Sequence, residues 1–88
     1  MKRRAYAKRN DANQKPIIAA LERIGCEVEP LLGRTGMPDL LVSLGRRIFL
    51  LEVKAEKGKA NQDQEKFHKR FPVAVVRSEQ EALKAVTD

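Results

Sequence analysis

Residues 38–54 decide the fold, and they read PDLLVSLGRRIFLLEVK. Two apolar, β-prone runs lie on either side of a Gly-Arg pair at positions 45–46, a pattern that predicts a β-hairpin. A two-residue turn centred on this pair makes Leu44 the partner of Arg47. A turn with an odd number of residues would shift every pair and turn alternate side chains to the other face of the sheet.

An acidic pair is predicted at the open end of this hairpin. Counting outward from the turn places Asp39 directly opposite Glu52, and opposed residues have Cβ atoms only about 4.5–5.5 Å apart. Two carboxylates at that separation repel each other unless a cation lies between them. Lys54 follows Glu52 by two residues and therefore projects from the same face. Two acids and a lysine that converge in this way are typical of a metal-dependent phosphodiesterase.

The remaining elements are predicted from apolar periodicity and end signals. A first helix covers about residues 11–24, either containing Pro16 or beginning near it, and a first strand covers residues 26–31. Asn61 with Gln64 three residues later predicts a capped helix that continues to about residue 70. A buried strand at 73–76 and a last helix capped by Ser78, with Glu81 at the capping-box position, complete an α-β-β-β-α-β-α order. The fold class is therefore α/β.

Burial is predicted from the same pattern. Both faces of the hairpin carry apolar side chains, which favours a central sheet covered by helices on both sides. The second helix is expected to bury Phe67 and Phe71. In the last helix, the inward-facing residues are expected to be Ala82, Leu83 and Val86.

Length and charge restrict the class of protein. The 88 residues fit one small domain at 11–88 behind a flexible basic arm at 1–10, and the formal net charge of +6 favours a polyanionic partner such as nucleic acid. The sequence shows no signal peptide and no apolar run that could span a bilayer, so we expect a soluble cytoplasmic protein with no membrane partner. Cys26 is the only cysteine and is expected to pack as a small apolar residue. The basic residues of the arm are Lys2, Arg3, Arg4, Lys8 and Arg9.

Three sequence blocks resemble those of a known family. The chain is similar over about residues 11–86 to the VRR-NUC family of the PD-(D/E)XK nuclease superfamily, whose core is restriction-endonuclease-like with a central mixed sheet. A bare Pro-Asp…Glu-x-Lys pattern arises often by chance, whereas the longer blocks are much more specific. The blocks are Gly36-x-Pro38-Asp39-Leu40-Leu41-Val42, then Glu52-Val53-Lys54-Ala55-Glu56-x-Gly58-Lys59 with Gln64, and Val75-Val76-Arg77-Ser78.

The resemblance implies a role for each matching residue. Asp39, Glu52 and the backbone carbonyl of Val53 would bind Mg²⁺ or Mn²⁺. Lys54 would position the attacking water or help to deprotonate it. Gln64 would support the site from the second helix.

The resemblance is incomplete in the first helix. Family members usually carry a glutamate early in this helix, and the nearest candidates here are Asp11, shorter by a methylene, and Gln14, which offers only an amide. Asp11 is the candidate for a further metal ligand. Lys57 and Lys59 lie just beyond the site and are predicted, with the arm, to bind DNA phosphates. Small stand-alone members look like homodimeric, structure-selective nucleases that act on branched DNA, and four-way (Holliday) junctions are the expected substrate.

Each candidate residue also has an ordinary structural interpretation. Asp39 after a proline could simply open a turn, and Glu52 with Lys54 could form a surface ion pair of little worth. Gln64 could only close the capping box, or serve both the cap and the site. His68, the single histidine, is more often a packing residue than a ligand or base. Two functional alternatives remain open: a basic nucleic-acid-binding module without catalysis, and a restriction-type endonuclease that reads a short sequence.

Overall fold

The computed structural model describes residues 11–33 and 35–88, without the side chains of Asp11 and Ala12. The element order is α-β-β-β-α-β-α, as predicted. The predicted basic arm at residues 1–10 lies outside the described part of the chain. The elements are α1 (Asp11–Arg23), β1 (Glu27–Pro30), β2 (Leu40–Leu44), β3 (Arg47–Val53), α2 (Gln62–Arg70), β4 (Val73–Val76) and α3 (Glu79–Thr87).

The four strands form one mixed sheet in the order β1-β2-β3-β4. The first three strands are antiparallel, and β4 pairs in parallel with β3 after the chain has crossed over through α2. Leu44 pairs with Arg47, so the predicted hairpin register is confirmed. The turn between them places Gly45 at a φ of +64°, a conformation that glycine adopts at no steric cost.

One face of the sheet carries the core. Alternate residues of β2 and β3 point toward α1 and α3, and the buried side chains on that side include Leu40, Val42, Leu51 and Val53. Ile17 is among the helical residues that cover them. This layer needs only one side chain in two from each strand, which is the period of a strand with one buried face.

The opposite face is covered much less than the sequence predicts. Ile48 leaves 71% of its surface exposed, and Leu41 and Leu50 are half-buried. The expectation that α2 buries Phe67 and Phe71 is wrong, because α2 has no buried residue and Phe71 is 39% exposed. The sequence of α2 contains a single apolar residue, so this helix has no apolar stripe with which to cover a sheet.

The helix ends follow the predicted signals with two differences. Pro16 lies inside α1, so the helix does not begin at the proline, while Gly25 at φ +99° follows its end as expected. Ser78 caps α3 by accepting a hydrogen bond from the Glu81 backbone. The Glu81 carboxylate, however, accepts from the backbone N–H of Arg77 at 2.7 Å, one residue before the cap. None of the described helices is both long and apolar enough to cross a membrane.

Candidate metal centre and active site

The hairpin brings the two predicted acids together. Asp39 immediately precedes β2, and its backbone N–H donates to the Leu51 carbonyl at 3.1 Å, which extends the strand pairing past the end of β2. Because Leu40 pairs with Leu51, the next position outward sets Asp39 against Glu52. The predicted juxtaposition of the two acids is therefore present in the structure.

Asp39 is fixed by the strand opposite. Its Oδ2 accepts a hydrogen bond from the backbone N–H of Val53 at 2.8 Å. This bond gives the carboxylate a structural role, because it ties the open end of the hairpin together. It also holds the Asp39 carboxylate at the end of β3.

Glu52 is an acid inside the protein. Only 1% of its surface is exposed, and Oε2 accepts a hydrogen bond from Gln64 Nε2 at 2.9 Å. The Lys54 ammonium lies 3.6 Å from the same oxygen. The other oxygen, Oε1, is buried and has no hydrogen-bond partner among the described residues. A buried carboxylate oxygen without a partner is costly, and a cation is one of the few groups that would offset that cost.

Simultaneous ionisation of Asp39 and Glu52 is unfavourable, because Glu52 is buried, Asp39 is half-buried and the two carboxyls lie close together. Burial first, and then the neighbouring Asp39, raise the pKa of Glu52 from an ordinary 4.5 to about 7, against the lowering effect of Lys54. Burial also raises the pKa of Asp39, against the lowering effect of its hydrogen bond from Val53. Two carboxyls in one dry site hold a shared proton readily, and a divalent cation replaces that proton in many such sites.

Gln64 joins the second helix to the acidic pair. Its Oε1 accepts from the Asn61 backbone at 3.0 Å and from Lys54 Nζ at 2.8 Å, while its Nε2 donates to Glu52. The Asn61 side chain in turn accepts from the Gln64 backbone, which completes the capping box. The two donors at Oε1 fix the orientation of the amide, so the NH₂ group must face Glu52. Gln64 thus serves the cap and the site together.

Lys54 is held rather than mobile. Its side chain is 14% exposed, and its ammonium lies between Gln64 Oε1 and Glu52 Oε2. This burial excludes the interpretation of Glu52 and Lys54 as an ordinary surface ion pair. A lysine ammonium that is fixed beside two acids supplies a positive charge at a defined place, which is useful wherever a negative charge develops.

The donor set fits a hard divalent cation. The described residues contain no cluster of three or more His, Cys, Asp and Glu side chains that could hold a metal. Mg²⁺ is usually bound by one or two carboxylates together with water and substrate oxygens, so Asp39 and Glu52 meet its needs. The unpartnered Oε1 of Glu52 is the oxygen that such an ion would satisfy. The side chain of Asp11, the further ligand predicted from the sequence, lies outside the described part of the chain.

Asn13 is a site residue that the sequence analysis missed. Its Nδ2 donates to the backbone carbonyl of Lys54 at 2.9 Å, from a position one turn before the fully buried Ile17. The signal was available: residues four apart lie on the same helix face, so Asn13 faces the sheet. Asp11 and Gln14, the residues predicted near this position, are its neighbours in α1. The Asn13 amide holds the backbone that carries Lys54.

The other candidates lie around this centre. Lys57 and Lys59 are exposed on the loop that follows β3. His68 is half-buried, and its Nε2 has no partner in the described part of the chain. No hydrogen bond connects His68 to the acidic pair among residues 11–33 and 35–88, in agreement with a packing role. The five basic residues predicted in the arm lie outside the described residues.

Comparisons of the chain with protein-family models, with curated proteins and with solved structures give no match.

Proposed function

We propose that this protein is a divalent-metal-dependent endodeoxyribonuclease. The observation that carries the proposal is a buried Glu52 with one oxygen lacking a partner, set opposite Asp39 and beside Lys54. A structural ion pair would not need the second acid, and a packing residue would not be a carboxylate. The PD-(D/E)XK core and membership of the VRR-NUC family are part of this proposal, supported by the element order and by the register of the acids.

Asp39, Glu52 and the carbonyl of Val53 are the groups that would hold Mg²⁺ or Mn²⁺. When bound there, the ion would polarise a phosphoryl oxygen and make a nearby water a better nucleophile. The reaction is hydrolysis: a water oxygen attacks phosphorus and one ester bond breaks, leaving a phosphate monoester and a hydroxyl group. Asp39 and Glu52 lie opposite each other on one hairpin, so strand pairing, and not the motion of a loop, sets the separation of their carboxylates.

Lys54 and Gln64 would stabilise the negative charge that the phosphoryl oxygens gain during hydrolysis. The Lys54 ammonium is held by Gln64 Oε1 at 2.8 Å, so it adds a fixed positive charge where the phosphoryl oxygens gain negative charge. Gln64 Nε2 holds Glu52 Oε2 and leaves Oε1 for a cation. The hydrogen bonds therefore give the two oxygens of Glu52 different tasks.

DNA binding in this proposal rests on phosphate contacts and shape. The net charge of +6 and the exposed Lys57 and Lys59 favour a polyanion. No recognition helix or zinc site that could read a base sequence is identified in the described residues, so we favour structure-selective cleavage over a restriction-type activity.

A homodimer acting on four-way junctions completes the proposal. We identify one candidate site in the described part of the chain, and resolution of a symmetric junction needs two matched cuts, which a two-fold dimer supplies. Leu32 is 66% exposed and is a candidate for the dimer interface, whereas Val86 is 1% exposed and belongs to the core.

A cleavage panel tests the proposal. Linear, flapped and four-way DNA are incubated with Mg²⁺, Mn²⁺ or chelator, using wild type, Asp39→Asn, Glu52→Gln and Lys54→Met. We expect either acid variant to lose both cleavage and the metal-induced rise in Tm. Lys54→Met should retain the rise in Tm and lose about 100-fold or more in rate, as for removal of a preorganised charge.

Lys57→Met is the matched control, because it removes an exposed lysine three residues away and should change binding more than rate. Undiminished cutting in chelator, or by Asp39→Asn, contradicts the proposal. Salt-dependent DNA binding without cleavage on any substrate would instead identify a binding module.

A further inference from the structure

The segment between β3 and α2 begins with a tight turn. The backbone N–H of Gly58 donates to the Ala55 carbonyl at 2.9 Å, which closes a β-turn over Ala55–Gly58. The first three residues of this turn are exposed, and Lys59 directly after it is exposed too. A short surface turn of this kind gains little from burial, so by itself it would populate several conformations.

Arg77, which directly follows the neighbouring strand β4, holds this turn. Its Nε donates to the Glu56 carbonyl at 3.2 Å and its Nη2 to the Gly58 carbonyl at 2.6 Å. These two acceptors lie within the same turn, and the planar guanidinium presents its donors in a fixed fork that matches such a pair. The two hydrogen bonds from one guanidinium therefore constrain both the position and the orientation of the turn.

Arg77 is itself anchored at both ends. It follows the last residue of β4, Val76, whose carbonyl accepts from the backbone N–H of Lys54 at 3.0 Å. The Arg77 backbone N–H donates to the Glu81 carboxylate at 2.7 Å, in the first turn of α3. Arg77 thus fixes the position of the turn relative to β4 and α3, two elements that belong to the packed core.

We infer that Arg77 is a positioning residue that fixes the Ala55–Gly58 turn and thereby directs Lys57 and Lys59 toward DNA phosphates beside the acidic pair. This inference rests on the proposed function. The guanidinium forms its hydrogen bonds with neutral carbonyls, so its charge adds to that of the two lysines. The turn begins one residue after Lys54, so a fixed turn also fixes the distance between the phosphate-binding lysines and the candidate catalytic lysine.

Arg77→Lys separates position from charge, because lysine keeps the charge and loses the fork. Hydrogen exchange of the Gly58 amide reports the turn directly, without DNA. We expect exchange to become at least about tenfold faster in Arg77→Lys, as for loss of a local protecting interaction. Arg46→Lys, at the exposed hairpin turn, is the matched control and should leave the Gly58 amide unchanged.

DNA binding in chelator, measured by fluorescence anisotropy over a range of KCl concentrations, reports the consequence. Lys57→Met/Lys59→Met should reduce the slope of log affinity against log salt by up to about 1.8, the value for two phosphate contacts. Arg77→Lys should cause a similar reduction at unchanged net charge. Adding Arg77→Lys to the lysine double variant should cause little further loss.

Three outcomes overturn the inference, and a fourth separates it from the nuclease proposal. Unchanged exchange at Gly58 shows that Arg77 does not hold the turn. Additive losses of slope show that Arg77 contacts phosphate itself. An unaltered slope in the lysine variant shows that the turn does not meet DNA. Absence of Mg²⁺-dependent cleavage, with the exchange and slope results as expected, would remove the nuclease proposal and leave Arg77 as a positioning residue for DNA binding.

Discussion

Glu52 bears a charge that its surroundings disfavour. It is 1% exposed, Asp39 lies opposite, and only one of its oxygens has a hydrogen-bond donor. A buried acid in such a place reduces stability when it is ionised, and the Lys54 ammonium at 3.6 Å offsets this cost only in part. We therefore expect Glu52 to be present for binding a cation. The destabilisation that its ionised form causes should be measurable in the metal-free protein.

Stability of the metal-free protein should fall as pH rises from about 4.5 to about 7. The pKa of Glu52 is raised in the folded state to about 7, so the folded form binds more protons than the unfolded form within this window. The stabilisation is complete below the unfolded pKa and is lost as pH rises through the folded pKa. A shift of this size corresponds to on the order of 3 kcal/mol. Urea unfolding at several pH values, in chelator, gives the profile.

Glu52→Gln should flatten that profile and raise the free energy of unfolding above pH 7, whereas the exposed Glu56→Gln should leave both unchanged. Saturating Mg²⁺ should flatten the wild-type profile as well. A wild-type profile that is flat in chelator would show that Glu52 ionises without penalty.

Asn13 provides a second prediction about one side chain. Asn13→Ala removes the hydrogen bond to the Lys54 carbonyl, so the backbone that carries the lysine becomes less constrained. We expect a cleavage rate about tenfold lower, of the size seen when a supporting residue around a metal site is removed. The metal-induced shift in Tm should be retained, because both acids remain. Gln14→Ala is the control, and an equal loss in that variant would mean that α1 as a whole is destabilised.

The helix α2 is short, polar and unburied, and it is positioned largely by its first turn. Asn61 and Gln64 form a reciprocal capping box, and Gln64 also reaches Glu52 and Lys54. A helix of nine residues that buries none of them has little packing to hold it. The cap therefore couples helix formation to the completion of the site.

Substitutions in the capping box should separate these two tasks. Asn61→Ala removes the cap acceptor and should cost about 1 kcal/mol of stability, with a modest loss of cleavage. Gln64→Ala should cause a similar loss of stability and a much larger loss of cleavage, because Lys54 and Glu52 both lose a partner. Parallel urea unfolding and rate measurements give the comparison. Equal effects of the two variants on cleavage would reduce Gln64 to a capping residue.

The hairpin and the capping box were predictable because both rest on local rules. The register follows from the turn at 45–46, and the acids follow from the register. The weak coverage of the second face of the sheet was not predictable, since the exposed Ile48 and the half-buried Leu50 have the apolar pattern of buried residues. The apolar sequence pattern indicates which side chains could be buried, whereas their actual burial depends on which helix packs above them. The contacts of Asn13 and Arg77 are long-range and depend on tertiary packing, which local sequence does not encode.

The molecule as a whole is small for the task proposed. The described residues place Asp39 opposite Glu52 at one candidate site, and a four-way junction presents two equivalent strands to be cut. A partner copy would supply the second site and enlarge the surface that meets DNA. Ile48 and Leu32 are the most exposed large apolar residues among those described.

Sedimentation with and without junction DNA should show a dimer, at least on DNA. The symmetry of the junction requires two sites, so cleavage should involve paired nicks in opposite strands. A linear duplex of equal length is the control substrate and should be cut more slowly. A monomer in both conditions, or equal cutting of linear and branched DNA, would leave a general nuclease.

The hairpin has a further consequence for how the chain reaches its native state. Asp39 and Glu52 lie thirteen positions apart around a tight turn, whereas Gln64 and β4 join them only after the crossover through α2. Short-range contacts form earlier, because they close smaller loops. The two acids should therefore already be opposed in the rate-limiting step. Mg²⁺ should then accelerate refolding in stopped-flow experiments, and should do so in wild type but not in Glu52→Gln. An effect confined to the unfolding rate would mean that the acids meet only after the barrier has been crossed.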